Sequence, residues 1–166
     1  MPAPARRILS LALRSIGAER TLVSRLTERV HLSYIDFNGH MNYASYLEVM
    51  ELGRWDWAFR SGAGRALVRE RCRPVVVAVD IQYRRELRAR ARFTLDTRLV
   101  RLDKRVALFR QVIHVGEHLH AQAEVRALLL RRGKVADGAT VARVLDPFQA
   151  EALGLGGSRV AVAAAS

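Results

Sequence analysis

The sequence predicts an α+β domain in which one long central helix is wrapped by a five-stranded antiparallel sheet. Two patterns and their order carry that expectation. Apolar residues recur at helical spacing between residues 43 and 60. From residue 75 to residue 127 they alternate instead with polar ones, in four successive runs. The order is strand, long helix, four strands, so one helix can cover one face of the sheet and bury both apolar surfaces.

Residues 1–23 form an amphipathic segment that carries arginines, with Ile8, Leu9, Leu11, Ala12 and Ile16 in a helical stripe. Arg14 interrupts the apolar run, which makes a signal peptide a poor fit. The segment reads as a short helix packed on the domain or a frayed terminus, in preference to a membrane-surface or partner helix. Residues 24–32 read as the first strand, with Leu26, Val30 and Leu32 on one face. A turn-like stretch follows, Asp36-Phe37-Asn38-Gly39-His40. Asn42 is placed to cap the long helix, because its side chain can accept from the free amides of the first turn. Tyr43, Tyr46, Leu47, Met50, Trp57 and Ala58 make the expected inner face, and Ser61-Gly62-Ala63-Gly64 ends the helix. A short charged helical piece continues to about Arg71.

The four period-two runs place Val75, Val77, Val79, Ile81 and Tyr83 on one face, then Phe93, Leu95, Thr97 and Leu99. Val106, Leu108, Arg110 and Val112 follow, and then Leu119, Ala121, Ala123, Val125 and Ala127. Asp103-Lys104 and Gly116-Glu117 supply the hairpin turns. A short helix is expected over residues 146–153, opened by Asp146-Pro147. The expected organisation is therefore an N-terminal segment (1–23), one domain (24–153) and a flexible tail (154–166).

Composition narrows the function classes. The chain has 166 residues, half of them hydrophobic, which suits a single folded domain and argues against disorder. Its one cysteine, Cys72, excludes an intrachain disulfide framework and a multi-cysteine metal site. No apolar run reaches the roughly 20 residues a membrane-spanning helix needs. The formal net charge is +12, with 26 arginines and only two lysines. A planar guanidinium grips two oxygens at once, so this surplus points to phosphate or carboxylate partners.

The densest polar cluster on an apolar stretch runs from Tyr34 to Tyr43, just before the long helix. The first amides of a helix have no internal partner and sit at the positive end of its dipole, so they can polarise a carbonyl. A carboxylate just upstream, Asp36, can then attack that carbonyl or activate water. An Asx-rich capping turn with no chemistry is the plain alternative.

The pattern Asp36-x-x-Gly39-His40-x-Asn42-x-x-x-Tyr46, followed by Glu51-x-x-Arg54, resembles the signature of hotdog-fold thioesterases of the 4-hydroxybenzoyl-CoA thioesterase type. The likeness extends over residues 24–131, including Asp80-Ile81-Gln82-Tyr83-Arg84-Arg85-Glu86-Leu87. It implies the hotdog fold and an acyl-CoA thioesterase that releases a carboxylic acid and a thiol. Asp36 matches the catalytic aspartate, and Tyr43 falls where a backbone amide polarises the thioester carbonyl. Asp36, Asn38 and His40 also resemble the Asp-x-Asn-x-His motif of plant acyl-carrier-protein thioesterases, which assigns all three catalytic roles. Gly39, Asn42 and Tyr46 complete the motif as substrate-binding positions, and Lys104 and Arg105 become candidates for the coenzyme A phosphates. Another branch of the fold uses a helix glutamate, for which Glu48 and Glu51 stand available. The resemblance further implies a homodimer or homotetramer, no metal, no cofactor beyond the coenzyme A of the substrate, and a cytoplasmic location. Its substrate is an acyl-CoA or an acyl-carrier-protein thioester. A non-catalytic protein binding either one on the same fold is the alternative.

Other groups have plainer readings. His114, His118 and His120 invite a metal but occupy a polar strand face. Trp57 fits the helix core face and Trp55 does not. Arg71 and Arg73 flank Cys72 and can lower its pKa. Arg84, Arg85, Arg88, Arg90 and Arg92 form a basic run without a nucleic-acid motif, which reads as a solvated face attracting coenzyme A or an acidic carrier.

Overall fold

The computed structural model describes residues 3–149. The helices are α1 (Ala3–Arg14), α2 (Tyr43–Ser61), α3 (Ala63–Arg69) and α4 (Gly138–Leu145). The strands are β1 (Val23–Arg29), β2 (Cys72–Tyr83), β3 (Arg92–Asp103), β4 (Val106–Val115), β5 (His118–Arg131) and the two-residue β6 (Lys134–Val135). The five long strands pair antiparallel in the order β1-β3-β4-β5-β2, and β6 pairs with β5. α2 lies against the sheet and contributes Tyr46, Val49, Met50, Leu52 and Trp57 to the core. The wrapped-helix architecture is thus as the sequence predicts.

α2 begins and ends where its local chemistry dictates. Asn42 Oδ1 accepts from the Ser45 amide at 3.0 Å, and Gly62 closes the helix in the left-handed region at φ +92°. Gly53 sits at the closest approach of helix to sheet, where an added Cβ would lie 2.5 Å from Leu95 Cδ2. Beneath it, the buried Gln111 Nε2 donates to the Met50 carbonyl and to Thr97 Oγ1, each at 2.9 Å. Arg54 Nη1 donates to Gln111 Oε1 at 2.7 Å.

That network corrects the expected face of β4. The buried residues are Ala107, Phe109, Gln111 and Ile113, not the series Val106, Leu108, Arg110 and Val112, although Leu108 is itself buried. A glutamine with satisfied hydrogen bonds can be buried, whereas Arg110 needs its outward ion pair with Glu124. In β2 the alternation breaks at a bulge between Val76 and Ala78. Val76 opposes Ala127, and Val79, Ile81 and Tyr83 oppose the buried Val125, Ala123 and Ala121. Val75 and Val77 therefore do not share the inner parity assigned to them. Of the expected inner face of α2, Tyr46, Met50, Trp57 and Ala58 are buried, whereas Tyr43 and Leu47 are exposed, and Ser45, Val49, Leu52, Gly53 and Asp56 are buried beside the first four. Asp56 is buried because Ser24 donates to it and Arg60 pairs with it at 2.9 Å.

Smaller differences follow from backbone geometry. β1 stops at Arg29, and Leu32–Tyr34 is a 3-10 turn, which leaves Leu32 exposed. α4 was not expected, although Asp137 caps it by accepting from the Thr140 amide at 2.8 Å. Asp146-Pro147 opens only a 3-10 turn, Asp146–Phe148, and the rest of the helix expected over 146–153 lies outside the described residues. The expected tail, 154–166, also lies outside them. α1 packs on α2 and buries Leu11.

Candidate active site

A closed turn holds Asp36 at the entrance to α2. An isolated bridge between Ile35 and Met41 joins its two ends. Within it, the Asp36 amide donates to the His40 carbonyl at 3.1 Å, and the Gly39 amide donates to the Asp36 carbonyl at 3.0 Å. Gly39 takes φ +79°, a left-handed conformation that a side chain would strain. The Asn38 amide donates to Asp36 Oδ1 at 2.8 Å, which makes an Asx turn and fixes the carboxylate rotamer. His40 Nδ1 stands 4.0 Å from the same oxygen. Asp36 and His40 are both partly accessible. The turn is the local structure the plain capping reading predicts, and its carboxylate remains open to a ligand.

The helix start is pinned to the same loop. Asn42 donates to the Tyr34 carbonyl through its amide at 2.8 Å and through Nδ2 at 3.0 Å. Among the described residues, the Tyr43 and Ala44 amides find no backbone acceptor, as the first turn of a helix requires. Tyr43 itself is exposed, and its ring lies 5.1 Å from that of Tyr83. Tyr46 is buried, edge-on to Tyr83 at 5.0 Å. Burial pushes its hydroxyl pKa up to about 12, against a backbone hydrogen bond at Leu87. Tyr46 therefore contacts the core side of the site, whereas Asp36, Asn38, Gly39, His40, Asn42 and Tyr43 gather around the helix start.

Lys104 and Arg105 are not part of that gathering. They form the turn between β3 and β4, with Lys104 at φ +54°. β1 runs into the Asp36 loop from the end that pairs with Arg92, so the turn lies at the opposite end of the strands. Basic residues at the Asp36 end include Arg29, which pairs with Arg92, and the run of segment 84–92. His40 makes a bridge with Arg88, and the Met41 amide donates to the Leu87 carbonyl at 2.8 Å. Arg84 and Arg85 amides both donate to the His120 carbonyl, which ties the segment to β5. The sequence showed the basic run, but its place depends on a long-range bridge that no local pattern reveals.

A cavity of about 430 Å³ lies between α2 and the inner face of β2, β4 and β5. Its walls include Leu47 and Trp55 of α2 and Val76, Phe109 and Leu129 of the strands. Glu48, Glu51 and Arg54 supply its polar groups. Burial lowers the Arg54 pKa to about 10, while the nearby Glu51 charge opposes that shift. Trp55 and Trp57 both line the cavity; Trp55 stacks on Phe59, and the buried Trp57 donates to the Leu22 carbonyl at 3.0 Å.

The remaining candidates resolve differently. His114 does face a carboxylate, with Nε2 at 3.1 Å from Asp96 Oδ2, inside a cluster completed by Arg25. Among the described residues, no three His, Cys, Asp or Glu side chains converge as metal ligands would. Burial raises the Cys72 pKa despite the neighbouring Arg131 charge, contrary to the lowering suggested by its sequence neighbours.

An antiparallel sheet curled about one long helix is the hotdog arrangement. The chain belongs to the thioesterase-like superfamily, whose family model matches residues 30–151. Solved structures agree on the fold. YbaW, a probable thioesterase from Escherichia coli, is 23% identical with a TM-score of 0.69, covering 75% of this chain and 97% of its own. The DHNA-CoA thioesterase from Staphylococcus aureus is 13% identical with a TM-score of 0.68, covering 84% of this chain and 98% of its own. Protein SAV2348 from Staphylococcus aureus, solved in complex with CoA, is 15% identical with a TM-score of 0.63, covering 79% and 86%. No curated protein matches the sequence. Among the described residues, no helix is long and apolar enough to cross a membrane.

Proposed function

We propose that this chain is an acyl-CoA thioesterase that uses Asp36 as nucleophile or general base. The observation that carries the reading is the juxtaposition of a rotamer-fixed, accessible carboxylate with the free first amides of α2. The thioester carbonyl oxygen accepts from the Tyr43 amide, which stabilises the negative charge as the carbonyl becomes tetrahedral. Asp36 either attacks the carbonyl carbon, expelling the CoA thiolate and leaving an acyl anhydride for water to cleave, or takes a proton from the attacking water. Both routes yield the carboxylic acid and the thiol. His40 and the Asn38 backbone orient the carboxylate.

The acyl group occupies the cavity beside Leu47 and Trp55. The CoA bound to SAV2348 supports a CoA thioester as substrate. The arginines of segment 84–92, tied to His40 by the bridge at Arg88, are the candidates for its phosphates. Among the described residues β2 is a terminal strand with an unpaired edge and exposed Val76, Val77 and Val79, which suits pairing with a second copy. Antiparallel pairing of two β2 edges would carry the Lys104–Arg105 turn of a second copy toward the Asp36 end, where it can serve the same phosphates in trans. The active unit is on this reading a cytoplasmic homodimer, or a homotetramer of such pairs, with no metal and no further cofactor.

The decisive experiment is Asp36→Asn, assayed for thiol release against a panel of acyl-CoAs. Turnover should fall at least about a thousandfold, with fold and mass in solution unchanged. Near-wild-type hydrolysis by that variant refutes the assignment. Tight acyl-CoA binding by the wild type without any turnover establishes the non-catalytic alternative.

A further inference from the structure

We propose that the outer face of α1 is a dock for anionic phospholipid surfaces. Two kinds of contact set the rotation of this helix. Leu11 is buried on its inner side. Arg7 lies between Glu28, at 3.3 Å, and Glu48, at 3.4 Å, and donates to the Tyr34 hydroxyl. With the inner face so anchored, Leu9, Leu13 and Ile16 point outward and are 52%, 59% and 74% exposed. They stand at i, i+4 and i+7 and form one stripe along α1 and the turn that ends it.

The charges around the stripe choose its occupant. Arg6 and Arg14 are exposed, α1 carries no acidic residue, and the exposed Glu19 lies beyond the helix. A helix whose only charged residues are arginines, carrying an exposed apolar stripe, suits a lipid surface that offers phosphates beside hydrocarbon. Twofold pairing of α1 with a second α1 would instead set arginines of one copy against those of the other. Three apolar side chains bind weakly by themselves, so attachment depends on anionic lipid.

The anchor joins this face to the site. Tyr34, which Arg7 contacts, accepts through its carbonyl from Asn42, the cap of α2.

The test is cosedimentation of the full chain with vesicles of phosphatidylcholine, alone or mixed with phosphatidylglycerol. The wild type should pellet only with the mixed vesicles. Replacing Arg6 and Arg14 with Gln should weaken binding about fivefold per arginine. The combined Leu9→Ser, Leu13→Ser and Ile16→Ser variant should weaken it at least about tenfold while keeping the wild-type circular dichroism, thermal midpoint and thiol release. No pelleting of the wild type overturns the proposal. So does equal pelleting of the serine variant, which would assign binding to general surface charge. A smaller mass for the serine variant by light scattering also overturns it, because a second copy would then be the occupant.

Discussion

Gly53→Ala sets two physical effects of known size against each other. In an exposed helix interior, alanine in place of glycine stabilises by about 1 kcal/mol. Here the new methyl would stand 2.5 Å from Leu95 Cδ2, 2.7 Å from Thr97 Oγ1 and 3.0 Å from Gln111 Nε2. Comfortable carbon contacts begin near 3.5 Å, so α2 or the buried Leu95 and Thr97 side chains must give way by about 1 Å. Gln111 cannot turn aside cheaply, because Met50, Thr97 and Arg54 all hold its amide. Overpacking of this kind costs about 1–3 kcal/mol, and each buried hydrogen bond weakened adds about 1 kcal/mol. The clash wins, for a net loss of about 1–3 kcal/mol. The thermal midpoint should therefore fall by roughly 3–10 °C, read by circular dichroism at one fixed protein concentration. In a Leu95→Val background, which removes the nearest atom, the same change should cost less. A midpoint at or above wild type for Gly53→Ala would refute the close-approach argument.

Three further outcomes are expected. Asn42→Ala removes the bond from the Ser45 amide and the bond to the Tyr34 carbonyl, so it should cost about 1–2 kcal/mol and lower kcat more than it raises KM. Val76→Phe fills part of the cavity and should lower kcat/KM for bulky acyl-CoAs roughly tenfold while sparing acetyl-CoA in a substrate panel. Burial alone would raise the Asp96 pKa, but hydrogen bonds and charge from Arg25 and His114 hold it below the ordinary value. Its stabilisation is then present above about pH 4 and is lost as pH falls through the lower folded-state value. The thermal midpoint of Asp96→Asn should lie below wild type near neutrality and converge on it in acid. A gap that widens in acid would contradict that sign.

Legibility followed the range of the interaction that decides each feature. The N-cap Asn42, the closing Gly62 and the turn of residues 36–40 are settled within a few residues, and all stood in the sequence. The alternation of β3 and β5 also survived folding, since Phe93, Leu95, Thr97 and Leu99 are buried on one side and Ala121, Ala123, Val125 and Ala127 on the other strand. β4 misled because its two faces are similarly apolar, and the choice falls to Gln111, whose partners are supplied by α2 and β3. A local reading ranks arginine and glutamine alike as polar, yet only the glutamine could be satisfied inside. The bulge in β2 is likewise invisible in a run of valines. Around the site, Asp36 and its turn were readable, whereas the cavity was not, because α2, β2, β4 and β5 assemble it from separate parts of the chain.

The position of the positive charge carries the last step. Arginines lie along the whole chain, so their number does not identify a binding surface. The fold gives them different work: Arg7, Arg60 and Arg110 are paired with carboxylates, and Arg54 is committed to Gln111 beneath α2. Segment 84–92 is set apart by its place: His40 bridges to Arg88, which itself lies 3.6 Å from Glu86, and the bridge holds basic groups at the edge of the Asp36 turn. On the proposed reading the division suits the chemistry. A cation in direct contact with Asp36 would stabilise the carboxylate and blunt it as a base, whereas guanidinium groups one loop away can bind distant phosphates without doing so. Charge reversal at Arg88 should accordingly raise KM for acyl-CoA, more at low than at high salt, with kcat little changed.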